Sequence, residues 1–84
     1  MYFYVYMILT KINDKYVSYV GYTKNLKKRL SLHNSSKGAK FTKGKKWKMI
    51  YSKRFSSKSI AMKEEYLLKK DFRKRNIIKA KYIR

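Results

Sequence analysis

YFYVYMILT, residues 2–10, is the stretch whose reading decides the fold. Aromatic and β-branched side chains recur along it in alternation, the pattern of a half-buried β-strand. Asn13-Asp14 follows as a turn, and residues 16–22 (YVSYVGY) repeat the strand pattern, so the two runs read as a hairpin. If that turn has two residues, position 6 faces 21 and position 8 faces 19. Tyr6 and Tyr19 then share one face as diagonal neighbours, roughly 7–8 Å apart at the backbone. A slip of one residue would put them on opposite faces.

Outward from the hairpin, Thr23 stands where a helix over 24–34 would be capped, with Leu26, Leu30 and His33 recurring along one side. Residues 35–46, SSKGAKFTKGKK, have loop composition. Trp47 to Phe55 reads as a third strand. Ser56 or Ser57 would cap a second helix to about Asp71, and the basic remainder, 72–84, a shorter third helix. The order ββαβαα predicts an α+β fold, a small three-stranded antiparallel sheet with flanking helices. A single domain over 1–84 is expected. At this length a three-layer arrangement or a deep internal pocket is not expected, so a site should lie in a shallow surface groove.

Charge restricts the partners. Twenty-four Lys and Arg oppose four Asp and Glu, a formal +20, which makes nucleic acid the default ligand. Contact with about six phosphates would give a log–log salt slope near −5. The competing reading is a solvated lysine-rich surface without function. An anionic membrane fits less well, because no helix here has a long apolar face with interfacial Trp. Cysteine is absent, which excludes disulfides and thiolate zinc sites. The apolar start, MYFYVYMIL, is too short to span a bilayer. A cytoplasmic, nucleoid-associated protein without a membrane partner is expected.

The chemistry-bearing inventory is short: Asp14, Glu64, Glu65, Asp71 and one histidine, His33. A two-metal nuclease site needs several convergent carboxylates, so a hydrolase built from this chain would have to work with one ion. Arg29 and His33, four apart, share a helix face; they suit gripping a phosphate and ordering a tyrosine or water, or are simply a surface cation and a half-buried histidine. Tyr6 and Tyr19 are either packing or a phenol pair whose pKa nearby cations would lower. Glu65 falls on the stripe with Ala61, Leu68 and Phe72, and Glu64 on that with Ile60, Leu67 and Asp71. A carboxylate on an apolar stripe calls for a cation, which a metal ion or an i,i+4 pair with Lys69 would equally supply.

Tyr4-Val5-Tyr6, Tyr19-Val20-Gly21, Arg29 followed by His33, the loop Lys37–Gly44, and Ala61-Met62-Lys63-Glu64-Glu65 with Lys69 occur in this order. Together they resemble the GIY-YIG endonuclease family, in its small single-domain branch, over about residues 2–79. Tyr4 stands where the name-giving glycine would be. The resemblance implies a metal-dependent endonuclease that hydrolyses phosphodiester bonds in DNA. Tyr6 would activate the attacking water, helped by Tyr19 and His33. Arg29 would hold the scissile phosphate, and Glu65 would bind one Mg²⁺ or Mn²⁺. Gly21 would permit a sharp turn after the second strand. Lys37, Lys40, Lys43, Lys69 and Asn76 would contact nucleic acid, with Lys74 as a substitute should Asn76 not reach.

With no second reading domain expected, selectivity should come from branched, nicked or single-stranded DNA, or from a targeting partner protein, with weak sequence specificity. Repair or recombination is the expected setting. The alternatives are a catalytically silent DNA- or RNA-binding module of the same fold, and a ribosome-associated basic protein.

Overall fold

Asn13 and Asp14 both take positive φ, 48° and 67°, as a tight two-residue hairpin turn requires. That turn joins β1 (Phe3–Ile12) to β2 (Lys15–Thr23) in the computed structural model, which describes residues 1–83. The expected register holds, with Tyr6 opposite Gly21 and Ile8 opposite Tyr19. The chain continues through α1 (Leu26–Asn34), β3 (Lys48–Phe55), α2 (Lys58–Lys70) and α3 (Phe72–Ile83). This is the ββαβαα order of an α+β fold, and the sheet is antiparallel throughout in the order β2-β1-β3. Arg84, the last residue of the expected third helix, lies outside the described residues.

The first helix begins later than expected. Asn25, not Thr23, is the cap: its side chain accepts from the Lys28 N–H at 3.0 Å, while the Thr23 hydroxyl accepts from the Asn25 N–H at 3.2 Å. Two successive short polar side chains thus hand the backbone from strand to helix. Ser57 caps α2 by accepting from the Ile60 N–H. Asp71 ends α2, and its carboxylate accepts from the Lys74 N–H at the start of α3.

β1 is the central strand, and its residues 5–10 are buried without a break. Its odd positions, Val5 and Met7, form one core with Val20, Ala61 and Leu68 under α2 and α3. Its even positions, Tyr6 and Ile8, form a second core with Trp47, against which Tyr19, Leu26 and Leu30 pack. The sheet is therefore covered on both faces. A three-layer arrangement does fit in this short chain because one outer layer is only a nine-residue helix and a loop. A bulge in β3 supports this packing: pairing passes from Met7–Tyr51 to Ile8–Met49 and skips Ile50. Ile50 and Tyr51 both reach the α2–α3 core as a result, while Met49 packs in the other. Among the described residues no helix is long and apolar enough to cross a membrane.

Candidate active site

Tyr6 points from β1 into the core beneath α1 and is 1% exposed. Its hydroxyl lies 2.7 Å from His33 Nε2 and receives a longer bond, 3.4 Å, from Arg29 Nε. Arg29 and His33 share one face of α1 as their spacing predicts, but His33 is fully buried rather than half-exposed. The expectation of a shallow groove therefore fails for the phenol and the imidazole, which lie beneath the surface that Arg29 and Tyr19 partly line.

A buried imidazole needs both nitrogens satisfied. His33 Nδ1 lies 2.8 Å from the Thr42 hydroxyl, itself within reach of the Ala39 N–H (3.2 Å) and the Ala39 carbonyl (3.0 Å). One proton arrangement serves every contact. The Thr42 hydroxyl donates to the Ala39 carbonyl and accepts from the Ala39 N–H and His33 Nδ1–H. That leaves His33 Nε2 bare to accept from the Tyr6 hydroxyl, whose oxygen accepts from Arg29. The reverse tautomer would set the Thr42 oxygen against the Ala39 carbonyl with no proton between them.

The loop holding Thr42 is anchored from two sides. Trp47 Nε1 donates to the Thr42 carbonyl at 3.0 Å. Asn34 at the end of α1 accepts from the Trp47 N–H and donates to its carbonyl. Gly38 and Thr42 lie in the loop Lys37–Gly44 that carries the resemblance, but the sequence assigns no role to them or to Trp47. The signal that could have found them is a threonine and a tryptophan amid a lysine-rich loop, residue types that such a loop does not need unless it packs.

Glycine plays a different part from the one expected. Gly21 lies inside β2, with no turn. A Cβ there would sit 2.5 Å from the Tyr6 hydroxyl and 2.7 Å from Cζ. Its missing side chain is the space that Tyr6 occupies. Gly38 does the same for His33, where a Cβ would come within 2.8 Å of Cγ and 2.9 Å of the backbone Cα.

Burial governs the ionisation of both groups. It pushes the Tyr6 phenol above 10.0, and the Arg29 guanidinium opposes this without prevailing. The expectation that cations lower the phenol pKa is thus reversed, because removal from water outweighs one long hydrogen bond. The charge on Glu65 raises it further. Burial also lowers His33 below 6.5, with Arg29 adding to the shift. A neutral phenol bound to a neutral imidazole is the resting state near neutrality.

Tyr19 completes the group, its ring edge-on to His33 with centroids 5.2 Å apart. Four of the five expected chemical groups are therefore in contact or one ring apart. Glu65 shares no hydrogen bond or ion pair with them. It stands on α2, its side chain 18% exposed and paired with Lys69 at 3.5 Å, and its charge is felt at the Tyr6 phenol. Of the cations the sequence could offer Glu65, Lys69 is the one in place. Among the described residues no three carboxylate or histidine groups cluster as a metal cage. The donor set fits a divalent ion only in the open manner of Mg²⁺, one carboxylate with water and substrate phosphate completing the shell.

The expected nucleic-acid contacts divide. Lys37, Lys40 and Lys43 are exposed on the loop beside the site. Lys69 lines a cleft with Ser18, Tyr19, Val20, Arg75 and Lys79. Asn76 is exposed on α3 and Lys74 lines a different groove, against Tyr51 and Leu67. Arg75 and Lys79, one turn apart on α3, line the Lys69 cleft, and the Arg75 guanidinium donates to the Leu68 carbonyl at 3.0 Å and to that of Lys69. A second basic cleft, with Lys24, Lys28 and Arg29, opens on the α1 side.

Known proteins resemble this chain over most of its length. The model of the GIY-YIG catalytic domain matches residues 2–79. UPF0213 protein OB0043 of Oceanobacillus iheyensis is 43% identical over 65 residues, 76% of this chain and 74% of that one. UPF0213 protein SH2523 of Staphylococcus haemolyticus is 45% identical over 67 residues, 79% and 78% of the two chains. The solution NMR structure of UPF0213 protein BH0048 from Bacillus halodurans is 34% identical, with 98% of this chain and 85% of that one covered and a TM-score of 0.49. With its motifs in order and a match over nearly its whole length, the chain belongs to the GIY-YIG catalytic domain family.

Proposed function

We propose that this protein is an endonuclease that hydrolyses phosphodiester bonds in DNA with one divalent metal ion, selecting by the shape of the nucleic acid more than by its sequence. The observation that carries this reading is the Tyr6 hydroxyl held between His33 Nε2 and Arg29 Nε. Such a phenol can pass its proton to the imidazole while its oxygen takes one from water, so the phenolate never stands alone and the charge comes to rest on His33. Arg29 offsets the negative charge gathering on the phenol oxygen. From its place beside the phenol it also presents nitrogens to the scissile phosphate.

In this sequence, water loses a proton to Tyr6 as the Tyr6 proton moves to His33 Nε2. The hydroxide bonds to phosphorus, the bond to the leaving oxygen breaks, and that oxygen takes a proton from solvent. His33 then returns its proton to Tyr6, which releases its own to solvent, balancing the proton taken up by the leaving oxygen. Thr42, by accepting from Nδ1–H, leaves Nε2 bare at the start of each turnover. Tyr19, beside His33, would help position the water. Glu65 is the residue suited to hold Mg²⁺ or Mn²⁺, whose chemistry would be to stabilise the leaving oxygen and the phosphate charge. Lys37, Lys40, Lys43 and Lys69 would track the phosphate backbone, joined by Arg75 and Lys79 in preference to Asn76.

One observation favours a second reading, a silent nucleic-acid-binding module of the same fold: the Glu65 carboxylate already has a cation in Lys69. Nicking of supercoiled plasmid with Mg²⁺ or Mn²⁺ separates the two. Nicking lost in both Tyr6→Phe and Glu65→Gln supports the enzyme. Tight DNA binding without nicking by the wild type supports the module.

A further inference from the structure

Phe41 stands at the surface where nothing in the fold requires an aromatic ring. It is 50% exposed, while its neighbour Thr42 is fully buried. Its ring lies nearly parallel to that of Tyr19, at 18° and 6.1 Å between centroids, and is inclined to Trp47 at 45° and 6.2 Å. Tyr19 in turn meets His33 edge-on. The rings of His33, Tyr19 and Phe41 thus form a run from the buried site to solvent, ended by the half-exposed Phe41. The Lys45 ammonium lies over the Phe41 ring, 5.4 Å from its centroid. It is tied to two carbonyls of its own loop, those of Phe41 (3.0 Å) and Lys43 (3.4 Å). Lys45 has no carboxylate partner among the described residues, so its charge is free for an anion.

We propose that Phe41 is a stacking platform for one unpaired nucleobase beside the scissile phosphate, with Lys45 taking the phosphate of that nucleotide. The base would extend the run of rings, and the ammonium would swing on its flexible stem from the ring to the phosphate. A base inside a duplex has both faces covered by its neighbours and must first be flipped out at a cost, so a flap, a bulge or a single strand supplies one most readily. The choice of ligand rests on the nuclease reading above, but the binding itself does not need cleavage. If Phe41 were merely a lid over Tyr19 and Trp47, leucine would serve as well.

The test is equilibrium binding of a short single-stranded oligonucleotide, without divalent metal, to the wild type, Phe41→Leu and Phe41→Trp. Leucine keeps the apolar cover and all charges but removes the π-face. Affinity should fall roughly 5- to 100-fold in Phe41→Leu with the salt dependence unchanged, and should be kept in Phe41→Trp. Scanning one abasic site along the oligonucleotide should reveal a sensitive position in the wild type that is insensitive in Phe41→Leu. Leucine binding within about twofold of wild type, or an abasic scan flat in the wild type, overturns the proposal; the scan decides even if Phe41→Leu fails to fold. A stacking effect without plasmid nicking would sink the nuclease reading alone, and nicking without a Phe41 effect would sink this one alone.

Discussion

The two faces of the sheet use the same central strand for different ends. The odd positions of β1 meet α2 and α3 through Val5, Met7, Val20, Ala61 and Leu68, with no polar group in that buried cluster. The even positions meet α1 and its loop through Tyr6, which leads to His33 and Thr42 by hydrogen bonds of 2.7 and 2.8 Å. Burying a polar chain gains little net stability, since each bond replaces one to water. The α2–α3 face therefore rests on apolar burial alone, whereas the α1 face adds a fixed arrangement of protons to its own packing around Ile8 and Trp47.

Variants on the two faces should separate accordingly. The largest effect is expected for Tyr6→Phe, which removes the proton carrier: nicking activity should drop roughly 10²- to 10⁴-fold while the protein still melts cooperatively. Met7→Ala, on the other face, should lose about 2–5 kcal/mol in urea denaturation and leave nicking near wild type at temperatures where it is folded. Equal loss of activity in this variant would erase the distinction between the faces.

A smaller effect is expected for Thr42→Val, which keeps the shape but leaves His33 Nδ1 and the Ala39 N–H without their partner, while the Ala39 carbonyl keeps the Thr42 N–H. Stability should fall by about 1–3 kcal/mol, and the nitrogen NMR shifts of His33 should report a mixture of tautomers. Thr42→Ser should restore the single tautomer; failure to do so would argue that threonine serves only to pack.

The smallest effect concerns pH. The folded pKa of His33 is depressed by burial, so the unfolded chain binds a proton first. The stability held by neutral His33 is complete above the unfolded value of about 6.5 and declines as pH falls through it towards the lower folded value. Melting temperatures measured between about pH 7 and pH 5 should show this decline. The acid limb of nicking should likewise lie below that of an ordinary histidine, because protonated His33 cannot accept from Tyr6.

Sequence reading reached as far as local pattern reaches. The turn at Asn13-Asp14 set the register, and the register put Tyr6 and Tyr19 on one face, as the pairs Tyr6–Gly21 and Ile8–Tyr19 bear out. The spacing of Arg29 and His33 placed both on one side of α1. What escaped it were contacts between residues distant in the chain. Nothing near Gly21 tells that a ring from β1 fills its place, and nothing near Thr42 tells that an imidazole nine residues earlier turns towards it. The direction of the Tyr6 shift was misjudged for the same reason: counting cations describes composition, whereas desolvation depends on what lies overhead. Thr23 lost the cap to Asn25 because both are good caps and the strand runs on through Thr23 itself.

The central position of β1 bears on motion. Its amides are bonded on both sides, to β2 and to β3, so they should be among the last to exchange with deuterium. The phenol carried by that strand rides on the stiffest part of the molecule, while the loop with Thr42 and Phe41 hangs from fewer ties. An arriving strand can then reshape the rim by small adjustments and still find the proton carrier where it was.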